Sequence, residues 1–185
     1  MAQQTQQEPN AVDMLKKDHQ GVTQLFEQCE RASAAERQPI ANQIFNALDI
    51  HTILEEEIFY PAVREQVDFD EVMEEEELED EELEDGGTAT EEVEIEEEAD
   101  ESDDIIAVSY QEHQMVKDLI KQLKAMDAQS NDYKDHFAEL KEAVLDHASE
   151  EEELIFPAAR LKLDLNALGN EMQQRRIALA SSMAA

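Results

Sequence analysis

Four stretches of the chain carry apolar residues alternately three and four positions apart, which is the spacing of helices that bury one face. The first stretch begins at Ala11, and its buried face would hold Val12, Leu15, His19, Val22, Phe26 and Cys29. The second has Pro39 in its first turn and runs to about Gln66, and its face would hold Ile40, Ile44, Leu48, His51, Glu55 and Ile58. The third begins at Ile105, and its face would hold Ile106, Ser109, His113, Val116, Ile120 and Leu123. After a loop at 128–132, the fourth would bury Tyr133, Phe137, Leu140, Val144, His147, Glu151 and Leu154.

These stretches predict an all-α protein, an antiparallel up-down four-helix bundle with short first and third connections. Residues 1–10 would form a disordered tail, and residues 11–66 and 105–165 would form two helical hairpins. An acidic low-complexity linker at 67–104 would join the hairpins. Residues 166–185 would add a short C-terminal helix, amphipathic over 167–180, that caps one end.

The second and fourth helices repeat one motif at an offset of 96 residues. In each copy a histidine is followed four residues later by a glutamate, and then by an aromatic residue, a proline and an arginine. The aligned pairs are His51 and His147, Glu55 and Glu151, Tyr60 and Phe156, Pro61 and Pro157, and Arg64 and Arg160. A further histidine, His19 or His113, precedes each copy by 32 or 34 residues. The chain is therefore an internal duplication.

The duplication predicts a metal site in the core. Residues four apart on a helix lie on one face, so His51 and Glu55 can reach one point, as can His147 and Glu151. With His19 and His113, six polar side chains would point inward, and a buried carboxylate without a partner is destabilising. A single buried His–Glu pair is more often a hydrogen-bonded core pair, but two pairs and two further histidines in a duplicated frame favour metal.

Imidazole and carboxylate ligands suit iron, zinc, manganese or copper. Four nitrogens and two carboxylates exceed what one ion readily uses, so we expect two ions, each bound by two histidines and both bridged by the glutamates. A vacant position on each ion would accept O2, peroxide or NO.

These residues resemble the hemerythrin-like HHE cation-binding domain over roughly 11–66 and 105–165. The resemblance implies an up-down four-helix bundle with a non-haem di-iron, oxo- or hydroxo-bridged centre. Its ligands would be His19, His51, Glu55, His113, His147 and Glu151. Ferritin-like di-iron proteins are set aside, because their motif is Glu-x-x-His.

Two features depart from the family pattern. Oxygen-carrying hemerythrins have a fifth histidine where this chain has Ser109, which favours small-molecule sensing, peroxide turnover or iron handling over oxygen carriage. The acidic tract 68–104 is the second departure, and it holds 23 of the 48 acidic residues and no Lys or Arg. A solvated linker is the default interpretation; the alternatives are a reservoir that attracts Fe²⁺ and a contact for a basic protein partner.

The net charge of −34 disfavours direct binding to nucleic acid. The polar start predicts no signal peptide, and no apolar run is long enough to span a membrane, so we expect a cytoplasmic protein. Cys29, the single cysteine, is expected to be an inert core residue.

Four further side chains are interpreted from helical phase. Glu56 and Glu152 would point into solvent, and Tyr110 would be a packed residue rather than a hydrogen-bond donor near the site. His136 lies about three turns from His147, too far to join the site. Both helices are expected to change direction or end at Pro61 and Pro157.

The sequence thus predicts a di-iron protein that binds O2, NO or peroxide in oxidative-stress response or iron homeostasis. A peroxide-decomposing di-iron enzyme is an alternative, for which only Ser109 and Tyr110 offer a proton. A protein-interaction scaffold acting through the acidic linker is another.

Overall fold

A computed structural model describes residues 9–69 and 105–183, and over these residues the protein is all-helical, without a strand. The described helices are α1 (Ala11–Arg31), α2 (Ala34–Leu54), α3 (Tyr60–Gln66), α4 (Ile105–Ala125), α5 (Asn131–Glu150), α6 (Phe156–Lys162) and α7 (Leu165–Met183). A π-helical segment joins α2 to α3 (π1, Glu55–Phe59), and another joins α5 to α6 (π2, Glu151–Ile155). The predicted all-α class is confirmed. Residues 70–104 of the expected linker (67–104) and residues 1–8 of the expected tail (1–10) lie outside the described residues.

The first hairpin forms between α1 and α2. The side chain of Asn10 accepts a hydrogen bond from the Asp13 amide and begins α1, whose predicted inward row is buried throughout. α2 begins earlier than expected, because the Ser33 amide donates to the Glu36 carboxylate in a capping box. The prediction that Pro39 lies in the first turn is therefore wrong, and Pro39 lies inside the helix.

π1 and π2 occupy equivalent places, between the glutamate of each motif and its proline. Pro61 and Pro157 have no amide hydrogen for the i→i−4 bond, and the residue before each bonds five positions back: Tyr60 to Glu55, and Phe156 to Glu151. The wider turn accommodates the missing hydrogen bond of each proline, so the helical structure continues to Gln66 and to Lys162. Of the two expected outcomes, a change of direction or an end, the helices do not end at the prolines.

The π segments also shift the helical phase. Leu154 was predicted to be in the core, but it is 52% exposed, and the next residue, Ile155, is 1% exposed and fills that place. A turn wider than 3.6 residues moves every later side chain around the helix axis. The prediction for Leu154 is therefore wrong.

Two apolar clusters pack on either side of the motif residues. One includes Leu15, Tyr60 and Phe156, with Met172 from α7, and the other is built from Phe26, Ile44, Leu123 and Leu140. The buried polar groups lie between these clusters, which shield them from water.

α7 packs along α1, α2 and π1 rather than covering only one end of the structure. Gly169 allows this close approach, since a Cβ atom there would lie 2.0 Å from the Pro9 carbonyl oxygen. Farther along α7, Arg176 donates to Asp18 of α1 at 2.8 Å. Among the described helices, none carries an apolar stretch long enough to cross a bilayer.

Candidate metal centre

All six residues predicted as ligands are buried at the centre of the helices. Glu55 and Glu151 are 0% exposed, and the four histidines are at most 8% exposed. The Nε2 atoms of His19 and His51 lie 3.2 Å apart, and those of His113 and His147 lie 3.0 Å apart. Each lone histidine therefore pairs with the motif histidine of its own repeat.

The two glutamates connect the histidine pairs. Glu55 Oε2 lies 3.1 Å from His51 Nε2 in its own repeat and 3.3 Å from His113 Nε2 in the other. Glu151 Oε2 lies 3.6 Å from His147 Nε2 in its own repeat and 3.2 Å from His19 Nε2 in the other. Each glutamate therefore contacts one histidine of each repeat. Two candidate metal groups result, one of His19, His51, Glu55 and Glu151, the other of Glu55, His113 and His147.

The donor set fits cations, because its acceptors lack partners. Both oxygens of Glu55 and Oε2 of Glu151 are buried and receive no hydrogen bond. Burial and the negative charge of Glu151 raise the pKa of Glu55 well above its usual value. Burial also opposes ionisation of Glu151, but the close approach of the His19 imidazole and the charges of the histidines outweigh it and lower the pKa of Glu151 to about 2. Buried carboxylate oxygens without hydrogen-bond donors are destabilising, and a metal ion would satisfy them.

The two histidines of the first repeat differ in pKa. Burial lowers the pKa of the imidazole of His51 to about 4. For His19 burial has the same sign, but Glu151 and Glu55 outweigh it and raise the pKa to about 9. A metal ion requires the neutral form of both rings.

A second layer of carboxylates surrounds the histidines on the Nδ1 side. His19 Nδ1 lies 3.0 Å from Glu152, and His113 Nδ1 lies 3.0 Å from Glu56. Partners of this kind fix the ring orientation, which leaves Nε2 directed at the centre. The expectation that Glu56 and Glu152 point into solvent is wrong, because π1 and π2 place the residue after each motif glutamate beside a histidine of the other repeat.

The motif histidines also face carboxylates at Nδ1, although only His147 is within hydrogen-bond distance of one. His147 Nδ1 lies 2.7 Å from Glu112, and His51 Nδ1 lies 3.6 Å from Asp18. Asp18 and Glu112 directly precede the lone histidines His19 and His113, yet each contacts the other histidine of its pair. Sequence reasoning missed all four outer carboxylates, although the duplication repeats them at the ligand offsets of 94 and 96.

Cations flank three of the four outer carboxylates. Lys16 lies 2.9 Å from Glu152, Lys117 lies 2.7 Å from Glu56, and Arg176 lies 2.8 Å from Asp18. Among the described side chains, no Lys or Arg lies within ion-pair distance of Glu112. The two halves of the site therefore differ in charge although their ligands match.

Tyr60 is a further polar group that sequence reasoning missed. Its hydroxyl donates to Glu151 Oε1 at 2.8 Å and lies 3.3 Å from His113 Nε2, while its ring stacks on His113. Burial, and then the charges of Glu55 and Glu151, raise the pKa of Tyr60. Its counterpart in the other repeat is Phe156, which stacks on His19 without a hydroxyl. The difference between tyrosine and phenylalanine in the aligned motif was the available signal.

The other polar candidates bond to backbone carbonyl oxygens. Ser109 Oγ donates to the Ile105 carbonyl at 3.0 Å, and the Tyr110 hydroxyl donates to the Glu56 carbonyl at 3.1 Å. His136 Nδ1 bonds the Asp132 carbonyl, one turn away on α5.

A small cavity adjoins the site. It measures about 20 Å³ and is bounded by the four histidines and by Val22, Leu48, Val116 and Val144. About 10–15 Å³ on this measure holds one water molecule, so the cavity admits a species of one or two heavy atoms. A wider groove between α1 and α5, lined by Lys16, Thr23, Ser149 and Glu152, is open to solvent and reaches His19.

Comparison with known proteins places this arrangement in a family context. The sequence profile of the Hemerythrin HHE cation binding domain matches residues 10–107 and 104–180 of the chain. The crystal structure of a hemerythrin HHE cation binding domain-containing protein from Mycobacterium kansasii is similar, with a TM-score of 0.65 and 24% identity over 94% of this chain and 88% of that chain. That likeness shows the shared fold.

A curated relative from Nostoc sp., described as a DNA nickase, is 27% identical over 158 residues, which is 85% of this chain and 35% of that protein. This chain thus spans about a third of the length of that relative.

Proposed function

The chain belongs to the hemerythrin HHE cation-binding domain family, and on that premise we propose that it holds two non-haem iron ions and binds O2, NO or peroxide there. Its long helices would form an antiparallel up-down bundle of two hairpins, 11–66 and 105–165, joined by a solvated acidic linker. His19 and His51 would bind one iron, and His113 and His147 the other. We place this activity in the cytoplasm, in oxidative-stress response or iron homeostasis.

The crossed placement of the glutamates carries the proposal. Each carboxylate lies within 3.6 Å of one histidine from its own repeat and one from the other. A carboxylate between two ligand pairs can bridge two ions, whereas a one-ion site would need only three or four of the six side chains. When bound, the irons would supply the vacant coordination positions and the change of oxidation state that small-molecule binding requires.

The protein residues select what reaches those positions. The adjoining cavity accommodates only a few heavy atoms, and its valine and leucine walls disfavour charged or large ligands. Glu152, Glu56 and Glu112 hold three of the imidazoles in place through hydrogen bonds at Nδ1, and Asp18 lies 3.6 Å from Nδ1 of the fourth, His51. Reversible binding needs no more than this pocket and these supports.

Peroxide decomposition is a second candidate, and the Tyr60 hydroxyl favours it. Turnover of peroxide requires a group that can hold or deliver a proton beside the reacting oxygen. Tyr60 supplies a donor 2.8 Å from Glu151 Oε1 inside the site, where sequence analysis had offered only Ser109 and Tyr110. The hydroxyl would orient a bound oxygen species by hydrogen bonding.

Spectra of the iron-loaded protein distinguish the candidates. We expect a stoichiometric, reversible spectral change when reduced protein meets O2 or NO, and an unchanged spectrum in a His113→Ala variant. Steady consumption of H2O2 that falls in Tyr60→Phe would assign the enzyme instead. Phenylalanine is the natural residue at the equivalent position 156, so this variant keeps the ring and removes only the hydroxyl. Iron-loaded protein that responds to none of the three molecules would contradict the proposal.

The acidic tract allows a separate test of the scaffold alternative. Deleting residues 68–104 should leave iron content and the response to O2 or NO unchanged if the bundle carries the function. A deletion that abolishes protein-partner binding and leaves iron content intact would favour the scaffold. We propose no nucleic-acid partner, because the strongly negative chain would repel phosphates. Nickase activity belongs to a relative almost three times as long as the matched region.

A further inference from the structure

α7 covers one face of the first repeat. Arg176 pairs with Asp18 of α1, and Arg175 donates two hydrogen bonds to Glu57 of π1, at 2.6 and 2.9 Å. Leu165 and Met172 join the apolar cluster beside π1. The residues of α1 and π1 that lie against or beside α7 include Met14, Asp18, Gly21, Glu57 and Ile58.

The duplication creates an equivalent face on the second repeat. At the offsets that align the ligands, 94 for α1 with α4 and 96 for π1 with π2, the counterparts are Val108, Glu112, Met115, Glu153 and Leu154. We name these five residues the second-repeat face. In the described part of the chain no helix occupies it as α7 occupies the first.

The second-repeat face exposes apolar side chains that its counterpart covers. Val108 and Met115 are each 46% exposed, and Leu154 is 52% exposed. Ile58, the counterpart of Leu154, is 9% exposed and lies in the cluster that α7 joins. These three are among the few large apolar side chains exposed in the described structure. Val108 and Met115 lie one turn before and one turn after Glu112 on α4, so they flank an outer carboxylate of the metal site.

The charge of the second-repeat face is negative. Glu112 and Glu153 stand where Asp18 and Glu57 meet the two arginines of α7, and Glu153 accepts only a local hydrogen bond from Ser149 among the bonds described. Glu150 lies beside Glu112 and adds a further acidic side chain. Acidic groups around an apolar patch complement a helix with apolar and basic residues.

We propose that the second-repeat face binds a basic amphipathic helix of a partner protein, seated as α7 is seated on the first repeat. Apolar side chains of that helix would cover Val108, Met115 and Leu154, and two basic side chains would pair with Glu112 and Glu153. Residues 68–104 contain no Lys or Arg, so they lack the basic side chains that would pair with Glu112 and Glu153. The α7 of a second copy is not the occupant either, since its Arg175 and Arg176 are already paired within their own chain. The surface goes beyond the proposed function and does not depend on iron.

A labelled peptide of α7, Leu165–Met183, is a direct probe, since it carries the apolar and basic groups that the equivalent face accepts. Fluorescence anisotropy with the full chain should show one saturable site that weakens as salt is raised. Met115→Glu and Leu154→Glu should each weaken binding about tenfold or more, since they place a charge in the contact. Ile177→Glu is the matched control, because Ile177 is equally exposed but lies on α7 itself, and it should leave binding unchanged.

Several results would overturn the proposal. One is the absence of saturable binding; another is binding that Met115→Glu and Leu154→Glu leave unchanged, which would mean that the peptide exchanges with α7 on the first repeat. A peptide with both arginines replaced by glutamine that binds as well as the original would exclude the charge contacts. Light scattering that finds a dimer, dissociated by the same two variants, would assign the face to a second copy of the chain.

Discussion

Replacing Glu55 by glutamine should change stability in opposite directions with and without metal. Glu55 is 0% exposed, and neither of its oxygens receives a hydrogen bond. In the metal-free protein its pKa is raised by burial and by Glu151, so the folded state holds a proton that the unfolded state releases above about pH 4.5. Folding therefore becomes less favourable as pH rises through this window, by about 1.4 kcal/mol per pH unit.

Glutamine cannot ionise, so the Glu55→Gln variant does not lose stability in this way as pH rises. From about pH 4.5 to about pH 7 the difference in free energy of unfolding between the variant and the parent grows to about 3 kcal/mol at most, in favour of the variant. This difference vanishes near pH 4. With metal bound the sign reverses, because an amide is a poor substitute for a bridging carboxylate and the binding energy is lost. The same residue would thus destabilise the empty fold and stabilise the loaded one.

Glu151→Gln is the matched control for this prediction. The pKa of Glu151 is lowered to about 2, so it is ionised in the folded protein and contributes stability above about pH 4.5 that is lost as pH falls towards 2. Glutamine there should destabilise the metal-free protein at pH 7. Urea unfolding followed by far-UV circular dichroism, in chelator from about pH 4 to about pH 8, measures both variants. If metal-free Glu55→Gln were less stable than the parent at every pH, the reasoning would be refuted.

Three further perturbations test other parts of the account. Removing the metal with a chelator should lower the melting temperature, because the ligands gather only in the folded state; an unchanged melting curve after verified removal would argue against buried ligands. Glu56→Gln should weaken metal retention about 10–100-fold through its bond to His113, measured by competition with a chelator, while Glu57→Gln beside it should not. Gly169→Ala should destabilise by about 1–3 kcal/mol in denaturant unfolding, since its Cβ would lie 2.0 Å from the Pro9 carbonyl; a neutral effect would show that α7 packs less closely.

The duplication made the inner set of residues predictable. Two aligned His-x-x-x-Glu motifs on apolar faces indicated which side chains point inward, and the structure brings all six together. This inference needed only the 3.6-residue period, which holds within α1, α2, α4 and α5. Their role as ligands remains a proposal.

The period fails where the π segments begin. The wide turn before Pro157 moves Leu154 out of the core and brings Glu152 against His19. The wide turn before Pro61 brings Glu56 against His113 in the same way. A constant helical phase cannot predict these positions. Pro39 was misplaced for a different reason. The preference of proline for the first turn predicts a helix start near Pro39, whereas the Ser33–Glu36 capping box starts α2 at Ala34.

The most direct test of the central claim is the metal content of the purified chain, read together with its optical spectrum before and after reduction. We predict about two irons per chain, because the crossed placement of the glutamates supports a site for two ions. A near-ultraviolet band of an oxo-bridged pair should bleach with dithionite, and Glu55→Gln and Glu151→Gln should each lose the band. A chain that retains no metal after iron supplementation, or that binds a single zinc ion, would contradict the di-iron account.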